Sequence, residues 1–324
     1  MDRLLPAALA LVGAPAASVA YILAAELALG RLPDRRRTAL RPWVWTAPAL
    51  LFVAVFLVYP TLDTLALSFR DAADARWVGA ANYVYTFQSR EALVALRNTL
   101  VWLVVFTGLV VAGGLGIAVL AERVRYDAVV RAIVFLPMAL SFTAAGVIWK
   151  FVYEFRPAGA PQIGLLNAVL GAAFPGFDPR AWLVGAPWNT LFLIVVAVWI
   201  WIGFATAVFA AALKAVPAAM FEAARVDGAG EWRVFVQIAL PAIGPTTAAV
   251  ATAMVITALK VFDVVYVMTS GNYDTDVLAN RMYRELFVDQ HLGRAGALAV
   301  LLLAATAPAM VANLRRLRRE AETR

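Results

Sequence analysis

Cysteine is absent from the chain and histidine occurs once, at His291. Disulfides, iron–sulfur clusters and thiolate metal sites are therefore excluded. His291 lies in a polar segment and reads as a surface residue rather than a ligand. Lysine is nearly as scarce, occurring only at Lys150, Lys214 and Lys260. None follows a glycine or precedes serine or threonine, so the G-x-x-x-x-G-K-[ST] loop that cradles nucleotide phosphates is missing. Charged residues make up 15% of the 324, against roughly a quarter in soluble domains. The formal charge of +7 comes from arginines in short runs beside apolar stretches. No basic stripe interleaved with aromatics points to nucleic acid. What fills the chain instead is 63% hydrophobic residues, with a mean hydropathy of +0.78. That is the composition of an integral membrane protein.

About 20 apolar residues cross a hydrocarbon core. On that measure spans fall near 4–29, 43–62, 98–120, 132–153, 189–213, 243–268 and 295–313. The first, preceded by little charge beyond Arg3 and containing Pro6, Gly13 and Pro15, either crosses once or bends back as a hairpin; it is a poor match to a signal peptide. Arg31, Arg35, Arg36, Arg37 and Arg41 precede the second span, and Arg315, Arg316, Arg318 and Arg319 follow the last. The positive-inside rule puts both clusters in the cytoplasm, which requires an even number of spans between them. Six are present. The same counting places Arg123, Arg125, Arg131 and the segment 214–242 inside, and 63–97, 154–188 and 269–294 outside. The expected organisation is an accessory N-terminal transmembrane helix with a basic cytoplasmic linker (1–42), a first core span with an external segment (43–97), a core transport domain (98–313) and a basic cytoplasmic tail (314–324).

One polar stretch stands among these apolar runs: Glu222 to Pro241, EAARVDGAGEWRVFVQIALP. Pro217 suits the first helical position, Ala218 to Val226 are mostly good helix formers, and Asp227-Gly228 with Gly230 gives a stop. Such a helix is too short to be stable alone, so docking must hold it. Ala219, Ala223 and Ala224 keep its surface shallow. Glu222 and Arg225, three apart, share a face and can pair with each other or with a partner. Trp232, Phe235 and Val236 are candidates to anchor the following short helix, and Leu240-Pro241 launches the next span.

The series E-A-A, D-G and L-P resembles the EAA loop of binding-protein-dependent ABC importer permeases. Gly79 to Phe87 (GAANYVYTF), Arg97-Asn98-Thr99-Leu100, Leu136-Pro137 and Gly164-Leu165-Leu166-Asn167 resemble segments of the carbohydrate-uptake branch. The runs GVIWKFVYEFRPAGAPQIGLLN, ALKVFDVVYVMTSGNY and ANRMY are similar to alpha-glucoside permeases. The resemblance spans about 41–319; the added first span and the lack of a very large external domain are departures. It implies an all-α fold, the six-helix transmembrane core of a type I ABC importer plus an extra N-terminal helix. It also implies that Glu222, Ala223, Ala224, Arg225, Asp227, Gly228 and Gly230 form the coupling element gripped by an ATPase. The implied partners are a second homologous permease subunit, two ABC ATPase subunits, an extracytoplasmic solute-binding protein and membrane lipid. No cofactor is expected in this chain, ATP-Mg being held by the partners, and the C-terminus is expected in the cytoplasm.

Ionisable groups inside a span are costly and default to functional hypotheses. Lys260 and Asp263, three apart, would share a helical face continued by Thr257 and Tyr266. These groups could bind sugar hydroxyls, or Lys260 and Asp263 could pair and fix helix packing. Trp199, Trp201 and Phe204, or Trp149 and Tyr153, could stack on a sugar's apolar face; tryptophan and tyrosine near span ends also serve as interfacial anchors. Gly108, Gly113, Gly114 and Gly116 read as sites of close helix packing, and Pro137 as a kink.

The expected function is therefore the translocation subunit of an oligosaccharide importer, for an alpha-glucoside such as maltose or trehalose. A permease for another solute, such as glycerol phosphate, is the nearest alternative, although the spans hold no arginine cluster for an anion. A secondary transporter would show internal repeats, which are not found. A membrane enzyme would need a catalytic constellation beyond Lys260 and Asp263.

Overall fold

A computed structural model describes residues 4–122, 124–157 and 159–322. Arg3, Arg123 and the side chains of Pro6, Pro15, Arg316, Arg318 and Arg319, which entered the reading of the first span and of the charge pattern, lie outside what is described. The described residues are almost wholly helical, with one isolated antiparallel bridge between Arg70 and Trp77. In order the helices are α1 (Leu4–Gly30), α2 (Asp34–Leu67), α3 (Ala81–Gln88), α4 (Arg90–Ala121), α5 (Asp127–Ala139), α6 (Phe142–Val152) and α7 (Leu165–Ala173). They continue with α8 (Trp188–Lys214), α9 (Ala218–Val226), α10 (Glu231–Ala242), α11 (Gly244–Leu259), α12 (Asp263–Met268), α13 (Leu278–Phe287) and α14 (Leu292–Glu322).

Two compact units are present, Met1–Thr64 and Leu65–Arg324. In the first, α1 is a continuous helix rather than a hairpin within itself. It pairs instead with the start of α2. The Tyr21 hydroxyl donates to the carbonyl of Val44, and Glu26 accepts from Arg41 at 3.0 Å.

By length and composition four helices among the described residues can cross a membrane, and six if each of two bent pairs forms one span. That total matches the six core spans expected, but two of them are not straight. α5 and α6 meet at 103°. Pro137, without an N–H to donate, tightens Leu136–Ala139 into a 3₁₀ turn, and the Ser141 hydroxyl then caps a fresh helix by accepting from Ala144 N at 3.1 Å. α10 and α11 meet at 69°. The expected span 243–268 therefore ends at Leu259, and α12 is a separate short helix.

α8 organises the second unit. It packs most extensively on α4 and then on α5, burying Leu193, Ile194, Val196, Ala197, Ile200, Ala205 and Phe209 against Trp102, Phe106, Val110 and Ala118. Contact is close enough that a Cβ on Gly203 would lie 2.3 Å from the Val134 carbonyl oxygen, and one on Gly114 would lie 2.5 Å from the Ala205 Cβ. Gly113 also faces α8, at Ile202, whereas Gly108 and Gly116 meet nothing within 4 Å. Only two of the four glycines expected to serve packing do so.

The segments linking the spans are held by buried asparagines. Asn82 donates to the carbonyls of Ser68 and Arg70 at 2.9 and 2.7 Å. Asn98 donates to those of Asp274 and Asp276 at 2.7 and 2.8 Å, while the Thr99 hydroxyl accepts from Leu278 N at 3.0 Å. Asn167 donates to the carbonyls of Glu154 and Arg180 and accepts from Arg180 N and Trp182 Nε1, all within 3.1 Å. Buried beside them, Arg281 grips Glu285 through two guanidinium nitrogens at 3.1 and 2.6 Å, and burial raises the Asp276 carboxyl above the usual range although Asn280 and Val277 N donate to it. His291 is part of this framework rather than a bystander on the surface. Its Nδ1 accepts from Arg294 N at 3.2 Å, which caps α14.

Two expectations follow. Gly203→Val should lower thermal stability in detergent by about 1–3 kcal/mol through overpacking, whereas Gly116→Val, at an open position, should leave the melt near wild type. The second concerns pH. Burial, then the charge of Arg294, hold the His291 pKa below its ordinary 6.5, with Glu285 and Asp71 opposing weakly. A folded state that disfavours the imidazolium is fully stable above the unfolded pKa and loses stability as pH falls below it. The melting temperature of wild type should therefore decline below about pH 6.5 more steeply than that of His291→Asn, since asparagine caps a helix without titrating.

Candidate functional site

A cavity of about 270 Å³ opens in the core where α4, α6, α8 and the end of α11 converge. Its walls include Trp102 and Phe106 from α4, Phe142 from α6, Trp201 from α8, and Thr257, Lys260, Phe262 and Asp263. Trp102 and Phe106 bound a π-helical turn inside α4, the kind of local widening often found at functional sites. The indole N–H groups of Trp102 and Trp201 are buried with no acceptor among the described residues. Aromatic faces, unpartnered indole donors, a hydroxyl and one charge of each sign thus meet in one recess. That mixture suits a polyhydroxylated solute with apolar ring faces.

Lys260 and Asp263 reach this cavity by a route different from the one expected. They do not share a helical face, because α11 stops at Leu259. Lys260 N still donates to Ile256 O and Thr257 O at 3.3 and 3.2 Å, but Phe262 leaves helical geometry at φ −141° and ψ −59°. Lys260 ends up at the C-terminus of one helix and Asp263 in the first turn of the next, each complementing a helix dipole. No ion pair joins them among the described residues, so mutual neutralisation does not explain either charge. Broken backbone at this depth is tolerated where it lines a cavity.

The other expected residues are distributed around the recess. Trp201 lines it, and Phe204 backs Trp201 edge-on at 5.7 Å. Trp199 instead packs against Trp149 at 5.7 Å. Tyr153 is buried and its hydroxyl donates to Phe192 O at 3.1 Å, a structural role. Tyr266 lies outside the cavity, stacked on Phe262 at 5.0 Å and set edge-on to Tyr283 at 5.2 Å. Trp102 and Phe106 were not foreseen; both sit in a uniformly apolar run whose pattern carries no mark of a cavity.

At the segment 214–242 the short helix is α9, Ala218–Val226. Pro217 precedes it as the cap in extended geometry (φ −57°, ψ 128°) rather than occupying its first turn. Gly228 closes the turn at φ +78°, the left-handed region favouring glycine. Phe221 packs against the core, Ala224 is half-buried, and Glu222, Ala223, Arg225, Asp227, Gly228 and Gly230 face outward. Arg225 pairs with Glu231 at 3.1 Å, not with Glu222. Val234 and Ala239 are buried and hold α10, with Phe235 against the core. Trp232, expected as an anchor, is 77% exposed, and Val226 is 87% exposed. The loop presents an apolar surface that none of the described residues covers.

Among the described residues, four apolar helices long enough to cross a membrane, or six if each bent pair is one span, a cavity in the second unit and an exposed loop define a solute-transporting membrane subunit. The chain belongs to the family of binding-protein-dependent transport system inner membrane components, whose profile matches residues 108–320. It is a transport component and not an enzyme. It is 48% identical over 281 residues to the osmoprotective compounds uptake permease protein GgtC of Synechocystis sp., covering 87% of this chain and 100% of that one. It is 37% identical to the alpha-glucoside transport system permease protein AglF of Rhizobium meliloti, covering 99% of both. Among solved structures, a bacterial ABC transporter involved in the import of the acidic polysaccharide alginate superposes with a TM-score of 0.73 at 25% identity, over 87% of this chain and 99% of that one.

The exposure of both partners in the Arg225–Glu231 pair, 54% and 58%, sets its worth. Arg225→Ala should change unfolding free energy by less than about 1 kcal/mol, measured by denaturant melts in detergent. Any large loss of transport in that variant would then come from a lost partner contact.

Proposed function

We propose that this chain forms the translocation pathway of an ATP-driven importer for oligosaccharides, alpha-glucosides such as maltose or trehalose being the favoured class. The observation that carries the reading is the cavity bounded by Trp102, Trp201, Thr257, Lys260 and Asp263. At about 270 Å³ it lies near the low end of ligand pockets, which run from ~300 to ~1,000 Å³, so it suits one or two sugar rings and not a polymer. Kinship to an alpha-glucoside permease along nearly the whole chain supports the same class. A second homologous permease subunit would complete the pathway, an extracytoplasmic solute-binding protein would deliver the sugar, and the C-terminus would lie in the cytoplasm.

ATP-Mg would be held by two ATPase subunits. Glu222, Ala223, Ala224, Arg225, Asp227, Gly228 and Gly230 would be the element that one of them grips. A nine-residue helix cannot persist alone, and exposed Val226 and Trp232 suit a groove on a partner. Closure of the ATPases would move α9, and through Phe221 and α10 the bundle would shift between two packings. A second reading, uptake of a small osmoprotective solute, is favoured by the 48% identity to a permease of that name. It uses the same cavity.

Reconstitution with the neighbouring permease, ATPase and binding protein tests both. ATP hydrolysis should rise with binding protein plus an alpha-glucoside. It should fall at least ~10-fold in Gly228→Pro, since proline is held near φ −65° and cannot adopt the positive φ, and should fall in Glu222→Ala without loss of folding. Lys260→Ala and Trp201→Ala should weaken the sugar response while leaving basal hydrolysis intact. Stimulation by an osmoprotectant and by no alpha-glucoside would select the second reading. Hydrolysis and uptake indifferent to the loop variants would reduce the segment to a connector.

A further inference from the structure

The helical hairpin at the N-terminus lies wholly outside the residues that the family profile matches, 108–320. Its most distinctive feature is a shallow, open recess on one side of α2, bordered by Arg37, Arg41 and Trp45 together with Asp34 and Thr38. Spacings of three, four, seven and eleven residues from Asp34 put all of these on one helical face. Glu26 from α1 reaches across to the two arginines, 3.0 Å from Arg41 and 3.9 Å from Arg37. One carboxylate thus steadies two guanidinium groups, Asp34 brings a second carboxylate to the same face, and the surplus positive charge of the segment comes from exposed Arg31, Arg35 and Arg36 around it. Arg37 and Arg41 stay accessible, with side chains 41% and 52% exposed.

The position of this recess says what it meets. α2 continues to Leu67 as an apolar helix whose most hydrophobic window has 0% of its residues buried inside the protein. That surface is suited to hydrocarbon. Trp43 and Trp45, both exposed, stand where α2 would enter it, the depth at which tryptophan sits among headgroups. Arg41 and Arg37 are one and two turns further out than Trp45. Arg31, Arg35 and Arg36 are exposed as well and form no ion pair among the described residues. Planar guanidinium forks bind phosphate oxygens in bidentate fashion, and basic recesses beside a transmembrane helix recognise anionic headgroups.

We propose that Arg37 and Arg41, fixed by Glu26 and bounded by Trp45, form a binding site for the phosphate headgroup of an anionic lipid. Glu26 holds the fork open in one geometry, and the exposed tryptophans set its depth. The bound lipid would tie the hairpin to the headgroup plane.

The test is retention of phosphatidylglycerol and cardiolipin by the full chain, reconstituted in phosphatidylcholine nanodiscs doped with either lipid and read by native mass spectrometry after detergent extraction. Wild type should retain anionic lipid. The double variant Arg37→Gln/Arg41→Gln should lose it several-fold, while Arg35→Gln/Arg36→Gln, with the same charge change off the recess, should keep it. Glu26→Gln keeps an amide oxygen to accept from Arg41 while removing the competing negative charge, so it should hold the fork and retain at least as much lipid as wild type. Equal loss in both arginine doubles would reduce the effect to diffuse charge and overturn the site. Release of the lipid by inorganic phosphate at concentrations that leave ionic strength unchanged would reassign it to a free anion. Lipid loss in Glu26→Gln equal to that in Arg37→Gln/Arg41→Gln would mean that the arginines serve hairpin packing and not a headgroup.

Discussion

A chain this apolar is governed by what its backbone can do away from water. Each N–H and C=O in hydrocarbon needs a partner, and the cost of leaving one unpaired exceeds the gain from most single side-chain contacts. Straight helices meet that demand automatically. The informative places are those where a helix stops. At Leu136–Ala139 the chain tightens into a 3₁₀ turn, and Ser141 supplies a cap before α6 begins. At Leu259 the last amides of α11 fold back onto the carbonyls of the preceding turn. Phe142, just beyond the first break, and Lys260 to Asp263, at the second, both border the cavity. Each break therefore contributes a wall to the site.

Outside the spans the same demand is met by side chains. Asn82, Asn98 and Asn167 each bind backbone groups of segments distant in sequence. These asparagines belong to the stretches that resemble sugar permeases, so the resemblance there reflects folding of the connecting segments and not contact with solute. The buried pair of Arg281 and Glu285 joins them, at the cost of desolvating two charges. What results is a rigid end to the bundle on which α12 and α13 are carried beside the cavity.

The loop from Ala218 to Ala242 is built on opposite lines. Few of its residues are buried, its Arg225–Glu231 ion pair is exposed, and its apolar groups Val226 and Trp232 face out. Under the proposed function, a segment with so little internal support would receive force from a partner. The rigid glycine contacts of α8 with α4 and α5 would carry displacement inward, because packed interfaces switch between arrangements rather than deform smoothly.

Composition and hydropathy were enough to read an all-helical membrane protein, whose apolar helices make six core spans if each bent pair is one, and a short helix at Ala218–Val226 stopped by Asp227-Gly228. Each follows from local rules: span length, helix propensity and the conformational freedom of glycine. Local rules could also suspect Lys260 and Asp263, because charge in an apolar run is costly. They could not say that α11 ends between them, since TALKVFDVV contains neither proline nor glycine and its pattern continues a helix. Nor could they mark Trp102 and Phe106, whose neighbours are as apolar as they are, or choose Glu231 over Glu222 as the partner of Arg225. Those outcomes were decided by tertiary structure. Which face of α4 meets α8, how sharply α6 turns from α5, and where the broken backbone finds its partners depend on contacts between segments far apart in the chain.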